Sequence, residues 1–238
     1  MKNETMNLKV WLEHYIWQGV EHFYIIDNDS VDNPLEILQP YIDSGFVTYI
    51  FLAAKHAQTQ HYNTVYNNYA IKDKFKWMIV CDHDEFLFGT EKKLADIVDD
   101  YISYDVVYVN WLMFGSCGFI DHPEDIRISL TKREPILHPQ TKYIANLTRL
   151  NNQHHMELHY LHNGKNIIHV NDRIHLNHYP IQSVEFFTKV KMTRGDAYNP
   201  ASDGVRDMNY FNSYNINVNT DDFLLKTLIE NGYPNQTQ

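Results

Sequence analysis

The feature that most constrains this chain is the alternation of helical and extended segments between residues 8 and 85. Apolar side chains recur at helical spacing from Leu8 to Ile16, and Gly19 follows where a glycine commonly ends a helix. The apolar run from His22 to Ile26 is typical of a buried strand. Repetition of this pattern predicts an α/β fold with a parallel sheet covered by helices on both faces.

The later segments extend this alternation and place two acidic turns at strand ends. We predict further helices at residues 33–45, 62–69, 94–101, 183–194 and 221–231, the last capped by Gly232, and further strands at residues 47–52, 77–81 and 106–111. Because ligands bind beyond the carboxyl ends of parallel strands, the acidic turns at residues 27–32 and 82–85 are expected on one rim of one sheet. Residues 121–177 contain short β-like runs, and the Asn-rich residues 209–219 predict a long loop.

Charge and cysteine content limit the classes of partner. The 238 residues carry a net charge of −10, which argues against nonspecific binding to nucleic acid, because a phosphate backbone requires clustered Lys and Arg. A nucleoside diphosphate is compatible with this charge, since a bound divalent cation can reconcile an acidic protein with an acidic ligand. Cys81 and Cys117 are too few for a zinc cluster or a disulfide framework, so we predict two buried free thiols.

The sequence has neither a targeting signal nor a membrane span that we can identify. Residues 1–5 lead directly into an amphipathic segment, and no apolar run approaches the ~20 residues that cross a bilayer. We therefore expect a cytoplasmic protein with no membrane span in this chain.

Asp82 and Asp84 form the strongest candidate site. They follow the apolar run from Trp77 to Cys81, and side chains at alternate extended positions point the same way, so both carboxylates can face one cation. Carboxylate oxygens suit Mn²⁺ or Mg²⁺, which usually keep substrate phosphate oxygens as further ligands. The competing interpretation is a solvated turn that caps a following helix.

Asp27 and Asp29 occupy the equivalent position after the earlier strand. A carboxylate there can accept hydrogen bonds from a base N–H or from ribose hydroxyls, and the alternative is turn and N-cap chemistry for the helix at Pro34. For Asp32 we favour the cap. Several of the fourteen histidines, among them His159 and His162, have zinc-ligand spacing without a supporting helix, and His178 stands out because it ends a short run before a helix.

A series of short motifs runs in order from residue 2 to about residue 195. The motifs are Lys2-Asn3-Glu4, Trp11-Leu12-Glu13-His14-Tyr15, Gly19-Val20-Glu21-His22-Phe23-Tyr24, Asp27-Asn28-Asp29-Ser30, Lys76-Trp77, Asp82-His83-Asp84-Glu85-Phe86-Leu87, Trp111-Leu112-Met113-Phe114-Gly115-Ser116-Cys117-Gly118, and His178-Tyr179 followed by Ser183, Glu185-Phe186 and Lys189. In this order and spacing, the series resembles glycosyltransferase family 92 and related family-2-like glycosyltransferases.

The resemblance implies a GT-A fold, which is a Rossmann-like mixed sheet flanked by helices, with a smaller acceptor-side region. It implies one glycosyltransferase domain over residues 1–238, divided into a nucleotide-sugar-binding half at about residues 1–118, an acceptor-side half at about residues 119–195, and a C-terminal loop and helix at residues 196–238. In such folds a strand precedes the Asn3-Glu4 pair, so either this chain is a fragment or another segment fills that position of the sheet.

The resemblance also implies the roles of individual residues. Asp82 and Asp84 are then the metal-binding Asp-x-Asp motif, which His178 completes. The expected donor-binding and loop residues are Glu4, Asp27 and Asp29 near the nucleotide, Gly115 in a glycine-containing loop beside the acceptor, and Lys189 and Arg194 on phosphate, with a helix-surface role as the alternative for these two. An inverting transfer needs a carboxylate base, and Asp121, Glu124 and Asp125 follow the glycine-containing loop at a suitable distance.

The predicted reaction is the Mn²⁺- or Mg²⁺-dependent, inverting transfer of a hexose from a nucleoside diphosphate sugar to a hydroxyl of a glycan or similar acceptor. One alternative is a metal-dependent phosphohydrolase that uses the same acids and several histidines, and it would release phosphate without an acceptor. The other is a non-catalytic glycan-binding or scaffold module of transferase descent, which would bind acceptor without affinity for a nucleotide sugar.

Overall fold

The computed structural model describes residues 1–194, residue 204 and residues 206–231. The helices are α1 (Thr5–Trp17), α2 (Leu35–Asp43), α3 (Gln58–Asn68), α4 (Ile71–Lys74), α5 (Leu94–Ile97), α6 (Ile126–Ser129), α7 (Val184–Lys189), α8 (Met208–Tyr214) and α9 (Phe223–Glu230). The strands are β1 (Phe23–Asp27), β2 (Val47–Phe51), β3 (Trp77–Val80), β4 (Glu85–Gly89), β5 (Val106–Met113), β6 (Lys132–Arg133), β7 (Thr141–Asn146), β8 (His155–Met156), β9 (Leu161–His162), β10 (Ile167–His169), β11 (Ile174–His178) and β12 (Asn219–Thr220).

A mixed sheet organises the molecule. Its strand order is β3-β7-β5-β11-β4, and β10 pairs with β5 outside this path. Both β10 and β11 run parallel to β5, whereas β7 is antiparallel to β5 and β3, and β4 is antiparallel to β11. β1 and β2 form a separate parallel pair, in which Phe23 lies opposite Val47. The short strands β6 with β12 and β8 with β9 form two further antiparallel pairs.

Helix α1 shows why the amphipathic segments fold as they do. Its buried apolar side chains include Leu8, Trp11, Leu12 and Tyr15, which recur at the spacing of one helix face. They belong to the same apolar cluster as Val107 of β5. Complete burial of one such leucine contributes roughly 1.5–3 kcal/mol, so this face holds the helix against the sheet.

The α/β fold class with a mixed sheet flanked by helices is confirmed, and most segments that we predicted lie at the expected places. The smaller acceptor-side region does not form a sheet of its own, because β7, β10 and β11 pair with strands from residues 77–113. In the part of the chain that the structure describes, no helix has the length and apolar character needed to cross a membrane. Both Cys81 and Cys117 are free and half-buried.

The predicted single parallel sheet is wrong. β3 pairs with β7 in antiparallel orientation and does not pair with β1, so the acidic turns after β1 and β3 follow strands of different sheets. The reason lies in β7, a strand from a distant part of the chain whose residues Lys142–Asn146 are all buried and which pairs with β3 on one side and with β5 on the other. Local periodicity carries no information about such a long-range pairing.

The predicted loop at residues 209–219 is also wrong over most of its length, because helix α8 occupies residues 208–214. The Asp207 side chain accepts a hydrogen bond from the backbone N–H of Tyr210 at 2.9 Å and caps this helix. Phe211 is buried beside Phe187 and Ile181, which gives the Asn-rich helix its apolar anchor. The predicted cap at Gly232 lies outside the described residues.

Candidate active site

The connection between β3 and β4 holds the two aspartates of the Asp-x-Asp motif. β3 ends at Val80 and β4 begins at Glu85, so a strand follows this turn and a helix-capping role for it is excluded. The indole Nε1 of Trp11 donates to the carbonyl oxygen of Asp82 at 3.0 Å, and the Asp82 N–H donates to Glu85 Oε2 at 2.8 Å. These two bonds fix the path of the turn from both sides.

A cavity of about 1130 Å³ opens beside this turn. Among the polar and aromatic residues that line it are Glu4, Gln58, Tyr62, Asp82, Asp84, Trp111, His138, Gln140, His159, His178, Lys191, Arg194 and Arg206. Residues of β1 and β3 line it as well, among them Ile25, Ile26, Ile79 and Val80. A concave space of this size that combines apolar walls with polar groups is typical of a site for a small ligand.

Asp82 is held by a buried lysine. Lys142 Nζ lies 2.7 Å from Asp82 Oδ2 and 3.3 Å from Glu85 Oε2, and the side chains of Lys142 and Glu85 are fully buried. Gln58 Nε2 donates to the second oxygen, Asp82 Oδ1, at 2.9 Å. Burial by itself would raise the pKa of Asp82, but the charge of Lys142 outweighs burial and lowers that pKa. Asp82 is therefore ionised at neutral pH.

Asp84 has its own lysine partner. Lys191 Nζ, in the 3-10 turn after α7, donates a hydrogen bond to Asp84 Oδ2, and both side chains are buried. His178 Nε2 lies 3.6 Å from the same oxygen. Burial works against ionisation here too, yet Lys191 brings the pKa of Asp84 well below its usual range.

Further positive charge lies beside this pair. Arg194 Nη1 donates to a carboxylate oxygen of Glu4, and also to the carbonyl oxygen of Lys2 at 3.2 Å. After burial, the charges of Arg194 and Arg206 contribute to a lowered pKa of Lys191, and all three cations line the cavity. Clustered guanidinium and ammonium groups are the usual partners of phosphate oxygens.

Three histidines surround Trp111 in the lining of the cavity. The ring centroids of His178, His159 and His138 lie 4.1, 5.1 and 5.4 Å from that of Trp111. His159 Nδ1 lies 3.1 Å from the carbonyl oxygen of Thr141 and must donate its proton there, so the neutral ring keeps a lone pair on Nε2. Burial, followed by the charge of Lys142, lowers the pKa of His159. The ring is thus neutral at pH 7 and able to accept a proton.

One sequence comparison spans almost the whole chain. The profile of Glycosyltransferase family 92 matches residues 2–227. The chain belongs to glycosyltransferase family 92. No curated protein gives a significant match to the sequence.

A solved structure shares the fold with this family 92 member. The crystal structure of S. aureus TarS 1-349 has a TM-score of 0.50 and 14% sequence identity, and the similarity covers 100% of this chain and 73% of that chain. The crystal structure of the same S. aureus TarS 1-349 in complex with UDP has a TM-score of 0.46 and 14% identity, with 73% of this chain and 57% of that chain covered. At this identity the likeness to TarS concerns the fold alone.

The family 92 fold brings part of the predicted site together. The predicted residues that line the cavity are Glu4, Asp82, Asp84, His178 and Arg194. Asp27 is buried outside the lining, where it accepts hydrogen bonds from the Tyr49 hydroxyl at 2.7 Å and from the Ser30 N–H at 3.1 Å. Asp29 is exposed and lies 3.9 Å from Lys2 Nζ. The turn chemistry considered for Asp27 is therefore present, and its nucleotide role stays a prediction.

Gly115 and Lys189 also lie away from the cavity lining. The Gly115 N–H donates to the carbonyl oxygen of Lys132 at 3.0 Å, and a Cβ at Gly115 would lie 2.4 Å from the side-chain oxygen of Asn217. The glycine is thus required by packing against the C-terminal segment. Lys189 projects from α7 with 66% of its side chain exposed and pairs with Glu185 at 2.6 Å, which matches the helix-surface alternative.

The three acids predicted as catalytic base do not line the cavity. Asp121 and Glu124 are exposed. Asp125 is buried, accepts a hydrogen bond from the Arg127 N–H at 2.9 Å as the cap of α6, and pairs with the Arg127 side chain at 2.6 Å. A capping and ion-pairing role accounts for Asp125, and a base role for any of the three stays a prediction.

Sequence reasoning missed three residues of the site, namely Lys142, Lys191 and Arg206, and it considered His159 only for its zinc-ligand spacing. A weak signal existed for Lys142, because it is a single charge at the start of the apolar run of β7, and a lone charge in a buried strand requires a partner. The position of Lys191 had no signal, since α7 ends at Lys189 and its helical periodicity stops there.

Within the described residues, protein side chains alone do not supply all the ligands of a metal ion. In the described ranges, no group of three or more His, Cys, Asp or Glu side chains converges so that it could hold a metal ion. However, Mg²⁺ and similar hard cations are commonly bound through one or two carboxylates together with substrate phosphates. Asp82 and Asp84 fit that arrangement, in which a diphosphate supplies the remaining oxygens.

Proposed function

We propose that this family 92 member transfers a hexose from a nucleoside diphosphate sugar to a hydroxyl of a glycan or glycoconjugate. One observation carries the proposal: Asp82 and Asp84 line the same cavity as the cationic side chains Lys191, Arg194 and Arg206, and Lys191 contacts Asp84 directly. Acids that suit a divalent cation and cations that suit phosphate are together the requirements of a bound nucleoside diphosphate.

The proposed metal is Mn²⁺ or Mg²⁺, held by Asp82 and Asp84 with His178 beside them. When bound, it would neutralise negative charge that develops on the departing diphosphate. The protein contributes to the same end through Lys191 and Arg194, whose charges are fixed in place before any substrate arrives. Charge that is already oriented needs no rearrangement during the reaction.

The acceptor hydroxyl needs a base, and we propose His159 for it ahead of the acids outside the cavity. Its Nε2 would take the hydroxyl proton while the acceptor oxygen forms a bond to the anomeric carbon. The bond from that carbon to the phosphate oxygen breaks, and its electron pair leaves with the nucleoside diphosphate. A single displacement of this kind inverts the anomeric configuration.

Calorimetric titration with UDP and with GDP, each in Mn²⁺ and then in EDTA, tests the donor site. We expect one nucleotide to bind, and its affinity to fall in EDTA. Equal binding in Mn²⁺ and EDTA would remove the metal from the proposal. Failure of a demonstrably folded protein to bind either nucleotide would favour the non-catalytic glycan-binding or scaffold module instead. Release of phosphate without an acceptor would favour the phosphohydrolase.

Two lysine variants provide a matched comparison for this titration. Lys191→Met removes a cation that contacts Asp84, whereas Lys189→Met removes an exposed cation two residues away whose partner is Glu185. We expect the loss of about 1.5–3 kcal/mol of nucleotide binding for Lys191→Met only, the range of a hydrogen bond to a charged group. Equal affinities of the two variants would place the phosphates elsewhere.

A further inference from the structure

The buried lysine that contacts Asp84 lies over an aromatic ring. Lys191 Nζ, which donates to Asp84 Oδ2, lies 5.8 Å from the centroid of the Phe186 ring. Both side chains are buried, and an ammonium group within about 6 Å of an aromatic centroid is attracted to the face of the ring. A lysine side chain has many rotamers, and the loss of that freedom opposes any single position. The Phe186 ring therefore helps to keep the charge of Lys191 against Asp84.

A histidine from the connection between β5 and α6 stacks on this ring. The ring centroids of His122 and Phe186 lie 5.3 Å apart, with an angle of 25° between the ring planes. Phe186 is also held through its backbone, because its N–H donates to Ser183 Oγ at 3.1 Å. The same hydroxyl oxygen lies 3.3 Å from His122 Nδ1. Both the ring and the backbone of Phe186 are thus linked to His122.

The hydrogen bonds of the His122 ring define its orientation. Asn7 Nδ2 donates to Gln182 Oε1 at 2.7 Å, which leaves Asn7 Oδ1 as an acceptor 3.0 Å from His122 Nε2. Nε2 of the neutral ring therefore carries the proton, and Nδ1 accepts from the Ser183 hydroxyl. Because Asn7 belongs to α1 and Ser183 is the N-cap of α7, the His122 ring connects these two helices.

The backbone around His122 caps the same helix. The carbonyl oxygens of Phe119 and Ile120 accept from the N–H groups of Val184 and Glu185 at 3.2 and 2.9 Å. The His122 N–H donates to Glu185 Oε2 at 2.7 Å. The first N–H groups of a helix have no partner within the helix, so these bonds determine where α7 begins. The turn that follows α7 carries the lysine that contacts Asp84.

We infer that His122 is a positioning residue of the donor site and acts through Phe186 on Lys191. The inference rests on the proposed function, because the phosphate groups of a nucleoside diphosphate give the charge of Lys191 its role. Neither His122 nor Phe186 lines the cavity, so neither has to touch the ligand. The contacts run without a gap from His122 to Phe186, then to Lys191 Nζ, and finally to Asp84. Removal of the His122 ring should therefore change the position of a charge that lines the cavity.

A double-mutant cycle tests the inference, with calorimetric titration of UDP and of GDP in Mn²⁺ as the measurement. We expect His122→Ala to weaken nucleotide binding by about 2- to 30-fold, the range for residues that modulate binding without contact to the ligand. In the Lys191→Met background the same substitution should have no further effect, because the residue through which it acts is gone. Equal weakening in both backgrounds would show a general structural role and overturn the inference. His162→Ala, at an exposed site of β9, should bind as the wild type does.

The NMR signal of the Lys191 ε-methylene group measures the position of this side chain without any nucleotide. The signal that disappears in Lys191→Met identifies it, and its chemical shift depends on the nearby Phe186 ring. We expect the signal to move in His122→Ala and in Phe186→Leu, and to stay in place in His162→Ala. An unchanged signal in a folded His122→Ala variant would overturn the inference.

Two variants keep the test decisive if His122→Ala does not fold. His122→Phe retains a ring that can stack on Phe186, whereas Phe186→Leu removes the ring that Lys191 contacts. We expect nucleotide affinity and the lysine signal to stay closer to the wild type in His122→Phe than in Phe186→Leu, and wild-type affinity in Phe186→Leu would overturn the inference. Failure of the folded wild type to bind UDP or GDP would overturn the proposed function, and the lysine signal alone would then decide whether His122 positions Lys191.

Discussion

Lys142 Nζ lies 2.7 Å from one oxygen of Asp82, and this buried lysine is the only residue shown to bridge Asp82 and Glu85 within the described ranges. Substitution of Lys142 by Met leaves the fully buried carboxylate of Glu85 and the partly exposed carboxylate of Asp82 without their counter-charge. We expect the free energy of unfolding to fall by about 3–5 kcal/mol, the cost of breaking a buried ion pair. Urea denaturation measures the change. Lys226→Met, which removes an exposed partner of Asp222, should change it little, and equal effects of both variants would contradict the prediction.

Asp84→Asn tests the Asp-x-Asp assignment with little change of shape. The amide keeps the size of the side chain but removes the charge that would face the cation and the diphosphate. We expect turnover to fall on the order of 10²–10³-fold, as for loss of a group that acts electrostatically on the transition state. The fold is checked by circular dichroism, and Asp43→Asn, at an exposed site of α2 outside the cavity, serves as the control. Wild-type turnover of Asp84→Asn with divalent metal present would refute the assignment.

As the proposed base, His159 should give the reaction an acidic limb in its pH profile, that is, a fall of the rate towards low pH. Burial, followed by the charge of Lys142, lowers the pKa of His159 below its ordinary value of about 6.5. The neutral, proton-accepting form therefore persists below that value, and the rate should fall only as the pH drops through the lowered pKa. We expect His159→Gln to lose the limb together with about 10²–10⁴-fold of the rate. The acidic limb of the pH profile could instead persist in His159→Gln and disappear in Asp121→Asn or Glu124→Gln. That result would show that an acid, and not His159, is the base.

His14 makes the stability of the fold depend on pH. The ring is completely buried in α1, its Nε2 lies 2.8 Å from the carbonyl oxygen of Leu87, and burial lowers its pKa to about 3. In the unfolded chain the ring takes up a proton near pH 6.5, whereas the folded protein resists protonation down to the lowered pKa. Stability is therefore full above about pH 6.5 and is lost as the pH falls, by up to about 1.4 kcal/mol per pH unit.

Urea denaturation at neutral pH and at about pH 5 measures this contribution. His14→Gln retains a donor for the Leu87 carbonyl but does not titrate, so the difference in stability between the two pH values should shrink. His155→Gln, at an exposed site, should leave the difference as it is in the wild type. An unchanged difference in His14→Gln would show that other groups dominate the pH dependence.

Local elements of the fold were predictable because their determinants are local. Apolar spacing and the positive-φ glycines that follow their C-terminal ends, Gly19 and Gly45, fix α1 and α2, and the end of β3 fixes the position of Asp82 and Asp84. The pairing of strands within the sheets was harder to predict from the sequence. β3 pairs with β7, whose residues lie more than sixty positions further along the chain, and a strand carries no mark of its partner.

The candidate site shows the same distinction between local and long-range determinants. The motif acids were predictable, since a carboxylate pair after an apolar strand has few structural uses. Their counter-ions were not, because Lys142 and Lys191 come from β7 and from the turn after α7, and only the folded chain brings them to the acids. His159 was considered for zinc spacing, and its tautomer depends on a contact with Thr141 that spacing cannot show.

The separation of β1 and β2 from the mixed sheet bears on how cooperatively the protein unfolds. Within the described residues, this pair is attached to the remaining strands through side-chain packing, without a shared ladder of backbone hydrogen bonds. A unit attached in this way can open below the free energy of global unfolding. The transitions seen by tryptophan fluorescence and by circular dichroism should then fail to coincide, so that the chain behaves as two cooperative blocks rather than one two-state system.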